Sequence, residues 1–377
     1  MRRSFSLSRN RLLNRLLAGG AIAWLGLLAT SARAAADVPA AQTSEAQSVR
    51  TALNLKEFDR VWDLVNRKYY DAMLALLHDH HTQLWKAAKL RGVLKQKTVR
   101  TGIGLIALNN RLVVRQIVPG SPADLAGVKL GWVLLTINGK PRSDQFDPVE
   151  GSIARFGFLD ARDQPVTIDM QERMIAVEPE SRMLGGDALY LGFHLFDFTD
   201  LDWLYRQVRA NRQKPAMVID LRGNPGGKLS VSGAALGIFF EKAIDYGEVV
   251  TRAGRDSDIR TFHFLSPRYR GRLAVLVDEG TASAAEIFAA VMQEEHRAVI
   301  VGRPTAGSVL VSDFYSVPDG GKLQLSIEDY TLPGGRHLEG QGVKPDVALP
   351  LPSLADLRAG RDPDIDAAMD ALDKPNQ

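Results

Sequence analysis

The sequence predicts an α/β protein whose core is a mixed sheet with flanking helices, and two patterns support this. Between residues 179 and 350, short hydrophobic runs alternate with helical patterns, which is typical of a substantially parallel sheet. Before that region, residues 95–178 have the pattern of a small β-rich domain with Gly and Pro at its turns. The 377 residues, 45% of them hydrophobic and 24% charged, are enough for two or three domains with a sizeable core.

The first 34 residues have the pattern of a secretory signal peptide. Arginines precede an apolar run over residues 16–30, and Ala32-Arg33-Ala34 has the A-x-A form of a cleavage site. We therefore expect a periplasmic or otherwise exported protein, which would be membrane-anchored if the leader were retained. The leader holds six arginines and no acidic residue, so its removal changes the formal net charge from +3 to −3. The basic excess is therefore no argument for a nucleic-acid partner.

Two segments separate the leader from the β-rich domain. Residues 35–47 are Ala-rich and predict a linker, whereas Leu53, Phe58 and Trp62 recur at helical spacing and predict a helical region over 48–94. The chain contains no cysteine, which excludes disulfides and cysteine catalysis.

The β-rich segment begins with a glycine-rich loop, Gly102-Ile103-Gly104-Leu105, before a strand predicted over 112–118. A short helix ends at Ala126-Gly127, and the next strand ends in an Asn138-Gly139 turn. A glycine-rich loop can present backbone N–H groups to a carboxylate, while the edge of a strand can accept an extended peptide. The same glycines would also suit ordinary turns in a domain that binds nothing.

The elements of the core follow one another in the order that an α/β fold requires. Strands are expected over 190–196, 216–221, 273–277, 298–301 and 323–330, and helices over 200–212, 231–240 and 284–295. The polar segment 351–377 shows no motif and is expected to be a C-terminal tail.

Ser283 lies at the predicted junction between the strand 273–277 and the helix 284–295. The first N–H groups of a helix are unpaired and carry the positive end of its dipole. A nucleophilic serine needs such donors nearby, because its attack on a carbonyl creates an oxyanion. Taken alone, Ser283-Ala-Ala-Glu286 is more typical of a helix N-capping box.

Four segments, in this order, resemble the C-terminal processing (tail-specific) serine protease family, which includes the tricorn core protease. They are Asp220-Leu-Arg-Gly-Asn-Pro-Gly-Gly227, Gly280-Thr-Ala-Ser-Ala-Ala-Glu286, Gly302-Arg-Pro-Thr-Ala-Gly307 and Leu338-Glu-Gly-Gln-Gly-Val-Lys-Pro-Asp346. The β-rich domain in turn resembles a PDZ domain, with residues 102–105 at the carboxylate-binding loop. The resemblance covers about residues 55–350.

The resemblance implies a ClpP/crotonase-like core over 179–350 and a serine endopeptidase without cofactor or metal. Its substrate would be a protein held by its C-terminal tail, with Gly102, Ile103, Gly104 and Leu105 as the peptide-binding residues. Ser283 would be the nucleophile, and the N–H groups of Gly226, Gly227 and Ala284 would form the oxyanion hole. Whether the protein forms a homo-oligomer is left open.

The sequence departs from the commoner family pattern at the catalytic base. Many members have a lysine where this chain has Ser308. Within Leu77-His-Asp-His-His-Thr82, which resembles a segment of the Ser–His branch, His81 is the preferred base. Glu286 falls on the face of Ser283, one helical turn on, and is expected to orient His81, with Glu339 as a weaker candidate.

Other interpretations of these residues stay open. His81 could belong to a solvated helix face or to a metal site with its neighbouring histidines, whereas His296 and His337 are expected at the surface. Because Ser308 replaces the lysine, the alternative function is a PDZ-bearing pseudoprotease that binds peptide tails and cleaves nothing.

Overall fold

The computed structural model describes residues 81–85, 97–141, 149–251, 256–261, 268–317 and 320–374. The predicted signal peptide, the linker and most of the predicted N-terminal helical region therefore lie outside the described residues. Within the described ranges, no helix is long and apolar enough to cross a bilayer.

Strands and helices are numbered in chain order. The strands are β1 (Gln83–Trp85), β2 (Lys97–Arg100), β3 (Ile103–Leu108), β4 (Arg111–Ile117), β5 (Val133–Ile137), β6 (Lys140–Pro141), β7 (Ile153–Leu159), β8 (Pro165–Gln171), β9 (Arg173–Ala176), β10 (Glu180–Met183), β11 (Ala188–Gly192), β12 (Ala216–Asp220), β13 (Asp245–Thr251), β14 (Asp256–Arg260), β15 (Arg272–Val277), β16 (Val299–Gly302), β17 (Val311–Ser316), β18 (Lys322–Thr331) and β19 (Val347–Ala348). The helices are α1 (Pro122–Leu125), α2 (Phe198–Ala210), α3 (Leu229–Leu236), α4 (Ala284–Glu294), α5 (Leu354–Arg358) and α6 (Pro363–Asp373).

Residues 97–176, called the β-rich module below, are built on an antiparallel sheet with the order β3-β4-β5-β7-β8. Strand β6 adds beside β5, while β2 and β9 form a separate pair. Phe158 is fully buried in the module, and Trp132 packs edge-on against it with ring centroids 5.8 Å apart. Asn138 and Gly139 turn the chain between β5 and β6 with φ angles of 52° and 75°.

The core is a mixed sheet with the order β10-β11-β12-β15-β16-β19. Its strands run parallel from β11 to β19, and β10 is antiparallel at one edge. Side chains alternate along β12, so that Met217 and Ile219 pack toward α2, α3 and α4, whereas Val218 packs toward α6. The prediction of a mixed α/β core with flanking helices is therefore confirmed.

The expectation that the C-terminal segment is a tail without a motif is wrong. Residues 354–358 and 363–373 form α5 and α6. Ile365, Ala368 and Leu372 are buried, because their spacing of three and four places them on one face of α6. That face covers the second side of the core sheet, which the other helices leave open.

A second sheet, with the order β1-β18-β13-β14 and β17 beside β18, includes a piece of the predicted helical region. Residues 83–85 form a strand and not a helix, because their backbone pairs with β18. Side chains strengthen this pairing: the Trp85 indole donates to Gln324 at 2.8 Å, and the Ser326 N–H donates to the Thr82 hydroxyl at 3.2 Å. This pairing places His81, two residues before β1, beside the second sheet.

Candidate active site

Ser283 occupies a strained turn between β15 and α4. Its φ and ψ of 54° and −123° lie outside the regions that non-glycine residues favour. Such a conformation costs about 1–3 kcal/mol and persists only where the surroundings hold it. The Ser283 N–H is held by two acceptors, the Ser308 carbonyl at 2.8 Å and Glu286 Oε2 at 3.0 Å. A serine at a strained strand-to-helix turn has the geometry of a nucleophile elbow.

Gly226 touches the nucleophile but does not offer its N–H group. A Cβ on Gly226 would lie 2.7 Å from Ser283 Cβ and 2.6 Å from the Ala282 carbonyl oxygen, so only glycine permits this approach. Its N–H donates to Asn224 Oδ1 at 2.9 Å. The expectation that Gly226 contributes to an oxyanion hole is therefore wrong, because its donor is already used inside the turn.

Gly227 and Ala284 retain the donors that an oxyanion would need. In the described part of the chain, neither of their N–H groups donates to another group. Ala284 is the first residue of α4, where backbone donors have no partner within the helix and the dipole is positive. Gly227 has a φ of 142°, and a Cβ there would lie 2.4 Å from the Phe196 carbonyl oxygen. Gly227 follows Gly226, which contacts Ser283, so a second uncommitted donor lies one residue from that contact at a position that requires glycine.

Glu286 supports the backbone around Ser283. It does not orient His81, so the expectation from the sequence is wrong. Its Oε2 accepts the N–H groups of Ser283 and Ser308, at 3.0 and 2.8 Å. Its Oε1 accepts the Thr305 hydroxyl and, at 2.7 Å, the Gly307 N–H. The side chain is fully buried, and four donors saturate the carboxylate. A Glu at the third position of a helix reaches back to the backbone of the N-cap residue. Because Ser283 and Glu286 lie on one face of α4, the Glu286 side chain stabilises the Ser283 backbone.

The carboxylate beside His81 belongs to Glu339, the weaker candidate from the sequence. His81 Nε2 lies 3.7 Å from Glu339 Oε2, which is an ion-pair distance, and the His81 side chain is only 11% exposed. The same Glu339 oxygen accepts the N–H groups of Val309 and Leu310, at 2.7 and 3.2 Å. His81 is therefore buried next to an oriented acid, which does not fit a solvated helix face.

Residues 308–310 connect the nucleophile to this acid. The Ser308 carbonyl accepts the Ser283 N–H, and the next two N–H groups along the chain bind Glu339. Ser308 thus acts through its backbone at the position where many family members have lysine. Among the residues that the structure describes, no group of three or more His, Asp or Glu side chains is arranged to hold a metal ion.

Asp278 is a site residue that the sequence analysis missed. Its Oδ1 accepts the N–H groups of Gly223 and Gly280, at 2.7 and 3.0 Å, and so joins the turn before Gly227 to the turn before Ser283. Its Oδ2 accepts a hydrogen bond at 3.0 Å from Nη1 of Arg115, which lies on strand β4 of the β-rich module. An Asp directly after a strand, with a Gly two residues on, is a common turn signal. Here it could have indicated the turn but not the distant partners of Asp278.

The glycine-rich loop of the β-rich module leads into an edge strand. Gly102 has a φ of 87°, and its carbonyl accepts the Val118 N–H at 2.9 Å. Ile103, Gly104 and Leu105 begin β3, whose only neighbour among the described strands of its sheet is β4. The free edge of β3 has the backbone pattern that an added peptide strand would need.

Comparison with known proteins shows what the core resembles. Residues 188–349 match the profile of peptidase family S41. The carboxy-terminal-processing protease of Bartonella bacilliformis is 29% identical over 299 residues, which cover 73% of this chain and 67% of that protein. The carboxyl-terminal-processing protease of a Picosynechococcus species is 27% identical over 342 residues, which cover 84% of this chain and 80% of that protein.

The fold has a counterpart among solved structures. The photosystem II D1 C-terminal processing protease superposes with a TM-score of 0.52 at 22% identity, over 76% of this chain and 83% of that chain. Fold and relatives together define a serine-type peptidase. Residues 188–349 resemble peptidase family S41, and the chain is similar to carboxy-terminal-processing proteases.

Proposed function

We propose that this protein is an exported serine endopeptidase that cleaves unfolded or tail-exposed proteins, with Ser283 as nucleophile and His81 as base. The observation that carries the proposal is the strained Ser283 at the head of α4. Ala284, the next residue, has an uncommitted N–H group, and so does Gly227, which follows the glycine in contact with Ser283. A strained residue whose N–H group is held by two acceptors is typical of a functional site. An ordinary N-cap needs neither the strain nor a second glycine-rich turn against it.

The proposed reaction proceeds through an acyl-enzyme. Ser283 Oγ bonds to the scissile carbonyl carbon while His81 takes the hydroxyl proton, and the N–H groups of Gly227 and Ala284 stabilise the oxyanion. The C–N bond then breaks, and His81 gives its proton to the leaving amine. Water attacks the ester, passes a proton to His81, and the serine recovers it as the acid product leaves. No cofactor takes part.

Glu339 takes the role that we first expected of Glu286. A negative charge 3.7 Å from the imidazole stabilises the imidazolium that forms when Ser283 loses its proton. The Val309 and Leu310 N–H groups hold that carboxylate in place, so it is oriented before the reaction begins. The contact distance leaves room to tighten when substrate binds.

The β-rich module is proposed to act as a PDZ-type tail receptor. An extended C-terminal peptide would add to the edge of β3, with its carboxylate at residues 102–105. The Arg115 contact with Asp278 places this module directly against the turns that carry Gly223 and Gly280. A bound tail would therefore lie on the β-rich module, which itself contacts the active-site turns.

The test is cleavage of an unfolded polypeptide with an apolar C-terminal tail, compared with the same polypeptide carrying an acidic tail. We expect the native protein to cleave the first and Ser283→Ala to cleave neither. A fluorophosphonate probe, which reacts with activated serines, should label the native protein at Ser283 only. If the native protein binds the apolar tail but cleaves nothing and takes no label, it is a peptide-binding pseudoprotease.

A further inference from the structure

The start of helix α6 lies against the two loops that build the candidate active site. Asp362, the N-cap of α6, and Asp364 in its first turn meet Arg222 and Arg303. None of these four side chains takes part in the proposed reaction. Arg222 belongs to the motif 220–227, whereas the two aspartates belong to the segment 351–377, which shows no motif in the sequence.

Asp364 bridges the two arginines. Its Oδ2 accepts Arg222 Nη1 at 2.9 Å and Arg303 Nη2 at 2.7 Å, and its Oδ1 accepts Arg303 Nη1 at 3.0 Å. Asp362 forms a bidentate pair with Arg222 at 2.9 and 2.8 Å. Arg222 also binds Asp220 through Nε and Nη2. Paired, planar contacts of this kind fix direction as well as distance.

Each arginine stands at the beginning of a loop that shapes the site. Arg222 is followed by residues 223–227, which end in the turn that offers the Gly227 N–H group. Arg303 is followed by residues 305–308, whose backbone and hydroxyl bind Glu286 and accept the Ser283 N–H. One carboxylate, Asp364, therefore ties the oxyanion turn to the loop that holds the nucleophile.

Three of the four side chains are largely buried, so the geometry of the cluster is costly to change. The side chains of Arg222 and Arg303 are each 9% exposed, that of Asp364 is 3% exposed, and that of Asp362 is 39% exposed. Burial alone would raise the pKa of Asp364, but the two arginines hold that pKa below its ordinary range. Removing one carboxylate breaks charge-assisted hydrogen bonds to a largely buried arginine, and the loops can replace them only by moving.

The segment that contains α6 also holds the β-rich module. Leu357 of α5 packs with Ile106, Val113 and Val133 of the module's sheet. Arg358 donates to Asp163 at 2.6 Å and to the Asp160 carbonyl at 3.3 Å. Residues 353–373 therefore contact the module at one end and the catalytic loops at the other.

We propose that Asp362 and Asp364 are positioning residues for the oxyanion turn, acting through Arg222 and Arg303, and that residues 353–373 form a clamp required for catalysis. This inference rests on the proposed function, because it assumes that Gly227 and Ala284 bind an oxyanion. The clamp sets the distance between those donors and Ser283. Loosening it weakens transition-state binding and leaves the substrate's ground-state contacts intact.

The test uses the full chain with Asp362→Asn, since Asp362 is the more exposed partner and its loss should leave the fold intact. Asp366→Asn is the matched control, because Asp366 lies in the same first turn of α6 and is exposed. For each variant we would measure thermal unfolding, kcat, KM and the affinity of a peptide boronic acid, which forms a tetrahedral adduct with the nucleophile.

For Asp362→Asn we expect kcat to fall roughly 10- to 100-fold, since small misplacements of catalytic groups have effects of this order, while KM stays unchanged. Boronate affinity should fall by the same factor as kcat/KM, and Asp362→Glu, which keeps the charge, should recover part of both. Native kcat in a folded Asp362→Asn, or a loss of kcat without a loss of boronate affinity, would overturn the inference.

Two further outcomes are also decisive. If Asp362→Asn does not fold, Asp362→Glu is measured in its place. We then expect kcat and boronate affinity to fall in parallel, and native values of both would overturn the inference. If the native protein neither cleaves nor binds the boronate, the proposed function itself has failed, and the inference fails with it.

Discussion

The Glu286 carboxylate is the clearest structural brace in the site, and its replacement by glutamine tests that role. Glutamine has the same shape but only one acceptor oxygen. Either orientation points its NH₂ group at two donors: the Ser283 and Ser308 N–H groups, or the Thr305 hydroxyl and the Gly307 N–H. The Thr305 hydroxyl can rotate away, but a backbone N–H cannot.

The expected loss follows from the contacts. At least two charge-assisted hydrogen bonds disappear, each with a net value of about 1.5–3 kcal/mol, so that Glu286→Gln should destabilise the fold by about 3–6 kcal/mol. This is a large share of the roughly 5–15 kcal/mol by which a folded protein is stable. In one orientation of the glutamine the Ser283 N–H loses an acceptor, and in the other the Gly307 N–H loses its acceptor in the loop that holds Ser283. In either case fluorophosphonate labelling should fall with stability.

The assay is urea unfolding together with the rate of fluorophosphonate labelling, measured beside Glu294→Gln. Glu294 lies at the end of the same helix and pairs with Arg336 at 2.9 Å in an exposed position, so its loss should change stability by no more than about 0.5 kcal/mol. If Glu286→Gln were as stable as Glu294→Gln but slower in catalysis, Glu286 would act on the reaction and not on the fold. The assignment of Glu286 as a structural support for the fold would then be refuted.

Three further changes follow from the geometry. Glu339→Gln keeps an acceptor for the two backbone donors but removes the charge beside His81. The fold should be retained while kcat falls about 10²- to 10⁴-fold, and a native kcat in steady-state assays would contradict this. Gly226→Ala would place a Cβ 2.7 Å from Ser283 Cβ, so kcat/KM should fall on the order of 10²-fold. Native kinetics would show that the turn can move enough to accommodate the added methyl group. Burial raises the pKa of Glu172 from 4.5 to about 7, so the folded chain keeps a proton that the unfolded chain has lost between these values. Stability should therefore fall by at most about 3 kcal/mol as pH rises from about 4.5 to 7 and then level off. Glu172→Gln should remove this contribution in thermal unfolding at pH 5 and pH 8, and identical pH dependence in both proteins would speak against it.

Local patterns in the sequence were enough to predict the core and the place of Ser283. Hydrophobic runs such as 273–277 are buried on both faces, and the helix from Ala284 begins where the pattern changes. The glycines at 226 and 227 could be predicted as a close approach, because only glycine adopts their backbone angles at that distance.

What could not be predicted depends on contacts between residues far apart in the chain. Residues 83–85 become a strand because β18 lies beside them, and Trp85 and Gln324 are separated by 239 positions. The spacing of Glu286 fits a brace as well as an orienting acid, and only the loop over 305–308 decides between them. The segment 354–373 is polar in sequence because of its charged aspartates, whereas in the structure Asp364 is buried against two arginines.

The central claim is that Ser283 is an activated nucleophile that works without a lysine. It is tested most directly by cleavage of an unfolded, apolar-tailed polypeptide by the native protein and by Ser283→Ala. We predict cleavage by the native protein and none by the variant, with both proteins equally stable to heat. Equal cleavage by both proteins would place the chemistry elsewhere, and tail binding without cleavage by either would contradict the claim.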